Sequence, residues 1–144
     1  YGPASLEADK HVLQKVQEVA RRTGATIEIT DDEACLKGAD VIYCDIWASM
    51  GEEALIPERA QLLSPYRVTA EMLQKTGNAK VLFMHCLPSF HDLNTKLAKE
   101  WSDKGVDIRE VTDEVFRGPH SVVFDEAENR MHSIKAVLVA TLGR

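Results

Sequence analysis

Three stretches of this sequence bring together residue types that can do chemistry. In the first, Asp45-Ile46-Trp47-Ala48-Ser49-Met50-Gly51-Glu52-Glu53, the Asp45 carboxylate can hold an ammonium group. Ser49 and Met50 follow, Ser49 offering a hydroxyl and a backbone amide, and Gly51 lets the chain bend. Together they suit the amino and carboxylate ends of an amino acid. The plainer reading is a turn that Asp45 caps and Gly51 closes. In the second, His85-Cys86-Leu87-Pro88, a thiol beside an imidazole is a candidate thiolate and half of a candidate nucleophilic pair. Neighbours on an extended segment point to opposite sides, which argues against direct proton transfer between His85 and Cys86. Pro88 restricts Leu87 to extended geometry, a way of aiming the Leu87 carbonyl at a ligand. A buried cysteine and a hydrogen-bonded histidine would leave the same pattern. In the third, Glu126 to Lys135, Arg130 stands beside an apolar stripe of Ala127, Met131, Ile134 and Leu138 at helical spacing. An arginine at the edge of a buried face suits a carbonyl or phosphate oxygen. The same spacing allows an ordinary i,i+4 pairing with Glu126.

The elements that must position these residues alternate along the chain. Leu6, Val12, Leu13, Val16, Val19 and Ala20 recur at helical spacing, with Gly24 as the stop. Thr26 to Thr30 alternates with period two and predicts a short strand. Asp31 or Asp32 caps a short helix through Leu36. Val41-Ile42-Tyr43-Cys44 and Val81-Leu82-Phe83-Met84 are unbroken apolar runs, as in strands covered on both faces. Helices are expected near 57–64, 69–76, 94–102 and 124–142, with Pro57 in a tolerated first-turn position. An edge strand is expected near 106–111, and Asp113-Glu114 reads as a helix start. Strands alternating with helices give an α/β fold, a doubly wound parallel sheet with helices on both faces. Ligands of such sheets sit beyond the carboxyl ends of the strands. The Asp45–Glu53 and His85–Asp92 loops both begin there.

Composition narrows the function classes. With 144 residues, 44% hydrophobic and 28% charged, the chain has the makings of one globular domain. A net charge of -6 without a basic face speaks against nucleic acid. No apolar run nears the roughly 20 residues that cross a bilayer, so no membrane partner is expected. Cys35, Cys44 and Cys86 are odd in number and widely spaced, which reads as three free thiols in a reducing compartment, the cytoplasm. No GxGxxG or GxxxxGK[ST] follows a strand, and no two of the five histidines have HxxxH spacing. Dinucleotide, P-loop and helical zinc sites thus have no support. Trp47 and Trp101 read as packing residues.

In their order and spacing, the segments DIWASMGEE (Asp45–Glu53), FMHCLPSFHD (Phe83–Asp92), VTDEVF (Val111–Phe116) and FDEAENRMHSIKAVLVATL (Phe124–Leu142) resemble the ornithine carbamoyltransferases over essentially the whole chain. The resemblance implies the ornithine-binding domain of such an enzyme. It implies transfer of the carbamoyl group of carbamoyl phosphate to the δ-amine of L-ornithine, giving citrulline and phosphate, with no organic cofactor and no metal. It places Asp45, Ser49 and Met50 at the α-amino and carboxylate ends of ornithine. It places Cys86, the Leu87 carbonyl and Arg130 at the carbamoyl group, with His85 a further possible contact. Cys86 would then bind and orient, and would not attack.

The departures from the family are equally specific. The Ser-Thr-Arg-Thr phosphate loop and the His-Pro-x-Gln motif of the N-terminal, carbamoyl phosphate-binding half do not occur in residues 1–144, nor does the first strand and helix of the ornithine domain with its ornithine-binding asparagine. Ser133 stands where threonine is usual. The segment alone is therefore expected to be inactive and poorly behaved. Its last helix, about 124–142, is expected to pack back on the missing half, and the family's homotrimer is expected only of the longer protein. Two other readings stay open: a putrescine carbamoyltransferase, and a non-catalytic paralogue that binds an amino acid. The intact Ser-Met-Gly segment favours ornithine, because putrescine has no carboxylate to hold.

Overall fold

In the computed structural model, which describes residues 1–143, the two apolar runs become parallel strands, β1 (Val41–Cys44) and β2 (Leu82–His85). Their register sets Val41 beside Leu82 and Cys44 beside His85, so both strands end at one level. The loops that open at Asp45 and Cys86 therefore start side by side. On its other edge β2 meets the segment before the last helix: Phe83 N–H donates to the His120 carbonyl at 2.8 Å, and Val122 N–H to the Phe83 carbonyl at 3.0 Å. The α/β class and the parallel pairing are those expected from the sequence. No helix among the described residues is long and apolar enough to cross a membrane.

The chain divides into two compact units, Tyr1–Leu36 and the remainder from Lys37. The first holds helix α1 (Lys10–Thr23), capped by Asp9, whose Oδ1 accepts the N–H groups of His11 at 2.8 Å and Val12 at 3.3 Å. Leu6 lies outside it, in a 3₁₀ turn. Gly24 ends it at φ 77, a conformation that costs glycine nothing. Residues 26–30 form no strand, although they alternate as one. A strand needs a neighbour along its length, and none of the described residues supplies that ladder. The helix expected after Asp32 is a 3₁₀ turn, Glu33–Leu36, with Asp32 Oδ1 accepting from Ala34 N–H at 2.9 Å.

The second unit contains α2 (Ile56–Leu63), α3 (Ala70–Lys75), α4 (Lys96–Asp103), α5 (Asp113–Phe116) and α6 (Val123–Leu142). Thr69 caps α3 and Thr95 caps α4, each through its hydroxyl. Val81, Phe83, Val111, Val115 and Val123 are buried around β2. A second cluster of Ile56, Ala60, Ala98 and Ile108 carries Trp47, Phe90 and Trp101 against it, so both tryptophans do pack. It lies beneath the Asp45 loop and encloses an apolar cavity of about 150 Å³ under Trp47, Ser49 and Met50.

Residues 106–111 were expected as an edge strand and are not one. They make a single parallel bridge, Val68 with Val111. Asp107 interrupts the ladder by folding back on Arg109, accepting its backbone N–H at 3.1 Å and its Nε at 2.9 Å. Arg67 Nη2 reaches the same carboxylate at 2.9 Å. The Arg109 hydrogen bonds, reinforced by Arg67, hold the Asp107 carboxyl down at about 2, against an ordinary 3.8. A lowered folded-state value adds stability above the unfolded value and loses it as pH falls from about 4 to about 2. The carboxylate is 38% exposed, so solvent limits its worth to about 1 kcal/mol or less. Asp107→Asn should lower the urea midpoint at pH 6 and differ less from the parent at pH 3. An equal difference at both pH values would sink this reading.

Candidate functional site

The two loops that leave the strand ends meet through one contact. Cys86 Sγ–H donates to Asp45 Oδ1 at 3.0 Å, across the level where β1 and β2 stop. The same Asp45 oxygen accepts the Ile46 N–H at 2.7 Å. Asp45 thus closes its own turn, as the plainer reading held, and also binds the neighbouring loop. Burial raises the Cys86 thiol above its ordinary range, and the hydrogen bond to Asp45 adds to this. It is a protonated, hydrogen-bonding group near neutral pH and not an activated thiolate. Cys44, one residue before Asp45, is pushed up to about 12 by burial and by nearby Glu110.

The His85–Pro88 turn is tighter than its sequence implied. Leu87 was expected to be extended before proline, yet it sits at φ 48, and the Leu87–Pro88 bond is cis. Leu87 N–H folds back onto His85 Nδ1 at 2.9 Å, a short ring that curls the chain through Cys86. The same fold brings Cys86 Sγ within 3.8 Å of Nδ1, so the two side chains do not simply diverge. Nδ1 is already accepting from Leu87, which leaves Asp45 as the short partner of the thiol.

His85 is buried, and its Nε2 lies 3.1 Å from Glu110 Oε1, also buried, without the alignment of a hydrogen bond. Oε1 also accepts the Phe90 N–H at 2.6 Å. Glu110 therefore holds the Phe90 end of the loop by a hydrogen bond and stands beside His85 at the other end. Nothing in its sequence neighbourhood distinguished it from an edge-strand carboxylate.

The Asp45 loop closes on its own acids. Ser49 N–H donates to Glu52 Oε2 and Gly51 N–H to Glu53 Oε1, each at 3.1 Å. Gly51 sits at φ 92, where a side chain would be strained. Met50 is almost fully exposed. Arg67 stands 5.6 Å from the centre of the Trp47 ring, which steadies the base of the loop.

Arg130 does not pair with Glu126, the alternative its spacing allowed. Glu126 turns to the strand end, where its Oε2 accepts the His85 N–H at 3.2 Å and where, after burial, its nearby carboxylate raises the Tyr43 hydroxyl above its ordinary range. The Arg130 guanidinium makes no hydrogen bond or ion pair among the described residues. It lies on the Glu126 face of α6, one turn or roughly 6 Å further along. Because Val122 is level with Phe83 and Glu126 with His85, that turn lies beyond the carboxyl end of β2.

His91, Asp92 and Asp113 bring three ligand atoms close enough for a metal ion. Their carboxylates are engaged otherwise: Arg117 Nε meets Asp113 Oδ1 at 2.8 Å, and Asn94 Nδ2 meets Asp92 Oδ2 at 2.7 Å. The His91 ring stacks on Phe116 at 3.8 Å. The cluster reads as an ion-pair network fastening α5 to the loop.

Residues 1–141 match the family described as aspartate/ornithine carbamoyltransferase, Asp/Orn binding domain. The chain belongs to the aspartate/ornithine carbamoyltransferase family. Among relatives of this family, the catabolic ornithine carbamoyltransferase of Clostridium perfringens is 64% identical over 147 residues, covering 99% of this chain and 44% of that protein. The catabolic ornithine carbamoyltransferase 1 of Streptococcus agalactiae is 57% identical, covering 98% and 43%. The solved ornithine carbamoyltransferase of Pyrococcus furiosus superposes with a TM-score of 0.76 at 37% identity, covering 95% of this chain and 39% of that one. The chain thus spans less than half the length of the relatives it matches.

Proposed function

We propose that this chain is the acceptor-binding part of an ornithine carbamoyltransferase. The observation that carries the reading is the Cys86–Asp45 contact. It joins the two loops whose sequences resemble the family's ornithine and carbamoyl sites, at the carboxyl ends of two parallel strands. The names of the relatives support ornithine as the acceptor.

In this reading Asp45 receives the α-ammonium group of ornithine. The Ser49–Met50 segment receives its carboxylate, which takes the place of the Glu52 carboxylate now on the Ser49 amide. The δ-amine, after losing a proton from an unperturbed value near 10.4, attacks the carbamoyl carbon. A C–N bond forms and the carbonyl electron pair moves to oxygen; that pair then returns to carbon as the C–O bond to phosphate breaks with its electrons on the leaving phosphate, which takes up the second proton given up by the attacking nitrogen. Cys86, the Leu87 carbonyl and Arg130 surround the carbamoyl group. The guanidinium meets charge that grows only in the transition state. Every bond change is accounted for by the two substrates, so the reaction as written calls for no cofactor.

Carbamoyl phosphate would be held largely by the part of the protein outside this segment. The exposed apolar residues Met131, Ile134, Val137 and Leu138 give α6 a face to pack against that part. A homotrimer and a cytoplasmic location belong to the same proposal. The test is made on the product of the complete reading frame that carries this segment. Carbamoyl phosphate and ornithine should give citrulline and phosphate in equal amounts. An intact, folded protein that makes neither would remove the enzyme reading and leave an amino-acid-binding module.

A further inference from the structure

We propose that Glu126 is a positioning residue for the carbamoyl-transfer step, an inference that rests on the function proposed above. Its carboxylate joins three elements at one point. It accepts the His85 N–H at the end of β2 at 3.2 Å, it lies near the Tyr43 hydroxyl of β1, and it belongs to the first turn of α6. His85 opens the turn that carries Cys86 and Leu87, and Arg130 lies one helical turn beyond Glu126 on the same face. The carboxylate therefore fixes the distance between the cation on α6 and the thiol and carbonyl on the loop.

This link is needed because little else in the second unit restrains α6. Val123 is its one buried residue among those described, and the helix is largely exposed from Phe124 onward. The Val122–Phe83 hydrogen bond fixes where the helix starts. The buried Val123 and the Phe124 ring, edge-on to Phe116 at 5.9 Å, hold the same end of the helix, so a small error in angle grows along the length beyond. A further anchor one turn later limits that error. Misplacement by about 1 Å at a reacting centre is enough to cost roughly 100-fold in rate.

The test compares Glu126→Ala and Glu126→Gln in the complete protein. Alanine suits a partly exposed helical site, so folding is preserved. Glu126→Ala should lower kcat by about 10- to 100-fold, the worth of one hydrogen bond to a charged group, with ornithine KM changed less than about 3-fold. Glu126→Gln keeps an acceptor oxygen at the same reach and should recover most of kcat. A second readout does not depend on turnover. Alkylation of Cys86 by iodoacetamide, located by mass spectrometry, should change about 5-fold or more in Glu126→Ala and little in Glu126→Gln. If the parent protein forms no citrulline, the proposed function fails, and the alkylation contrast still decides the positioning role. Glu126→Ala matching the parent in both readouts would overturn the inference. So would equal damage by both substitutions with a lowered melting temperature, which is the mark of a merely structural role.

Discussion

Arg130→Ala in the complete protein is expected to lower kcat by about 10²- to 10³-fold, the range seen when one preorganised donor to a developing oxyanion is removed. Among the described residues its guanidinium has no partner, so its removal strands no buried charge and should leave the melting temperature within a degree or two. It stands beyond the end of β2, past Glu126. In the role proposed for it, the charge it meets grows during the reaction, so kcat and kcat/KM should fall together, with ornithine KM little changed. Arg130→Lys should recover only part of the loss. An ammonium is a point charge and cannot present two parallel N–H groups to one oxygen pair. Steady-state kinetics on the three proteins checks this. A kcat within about 5-fold of the parent in Arg130→Ala would remove Arg130 from the chemistry.

Glu110→Ala should destabilise the second unit by about 1–3 kcal/mol, the cost of leaving a part-buried N–H without its acceptor. The carboxylate and the His85 ring are both fully buried and 3.1 Å apart. The substitution leaves the Phe90 N–H without the acceptor it holds at 2.6 Å. Glu110→Gln retains an acceptor for Phe90 and should lose clearly less. Urea unfolding at one fixed protein concentration measures both, since assembly makes apparent stability concentration-dependent. A loss below about 1 kcal/mol for Glu110→Ala would show that the His85–Phe90 loop is held by something else.

The parts of this fold that were legible in the sequence are those whose signal is local. Val41–Cys44 and Leu82–Met84 are unbroken apolar runs and do form strands, although Val41, Tyr43 and Leu82 stay exposed where cover on both faces was expected, and α6 runs for 20 residues. The stop at Gly24 acts within a few residues of where it stands. What failed depended on partners far along the chain. Residues 26–30 alternate like a strand but have no ladder to join. Residues 106–111 alternate too, yet Asp107 spends its carboxylate on Arg109 and Arg67. The loop motifs located the site, but its internal bonds were hidden. Leu87 was read from the proline after it as extended, yet it sits at φ 48, in a turn whose N–H bond to the imidazole two residues before it no spacing rule anticipates. Glu110 reaches His85 across a separation that no spacing rule covers. Glu126 was weighed against Arg130, its neighbour on the helix, and instead turns to the end of β2.

The most direct measurement of the central claim is a competition between acceptors. The complete protein is given carbamoyl phosphate with ornithine and putrescine at equal concentration, and both ureido products are quantified in the same mixture. A site that uses Asp45 and the Ser49–Met50 segment to hold an amino acid's charged ends predicts a large excess of citrulline. Carbamoylputrescine in equal or greater amount would contradict it.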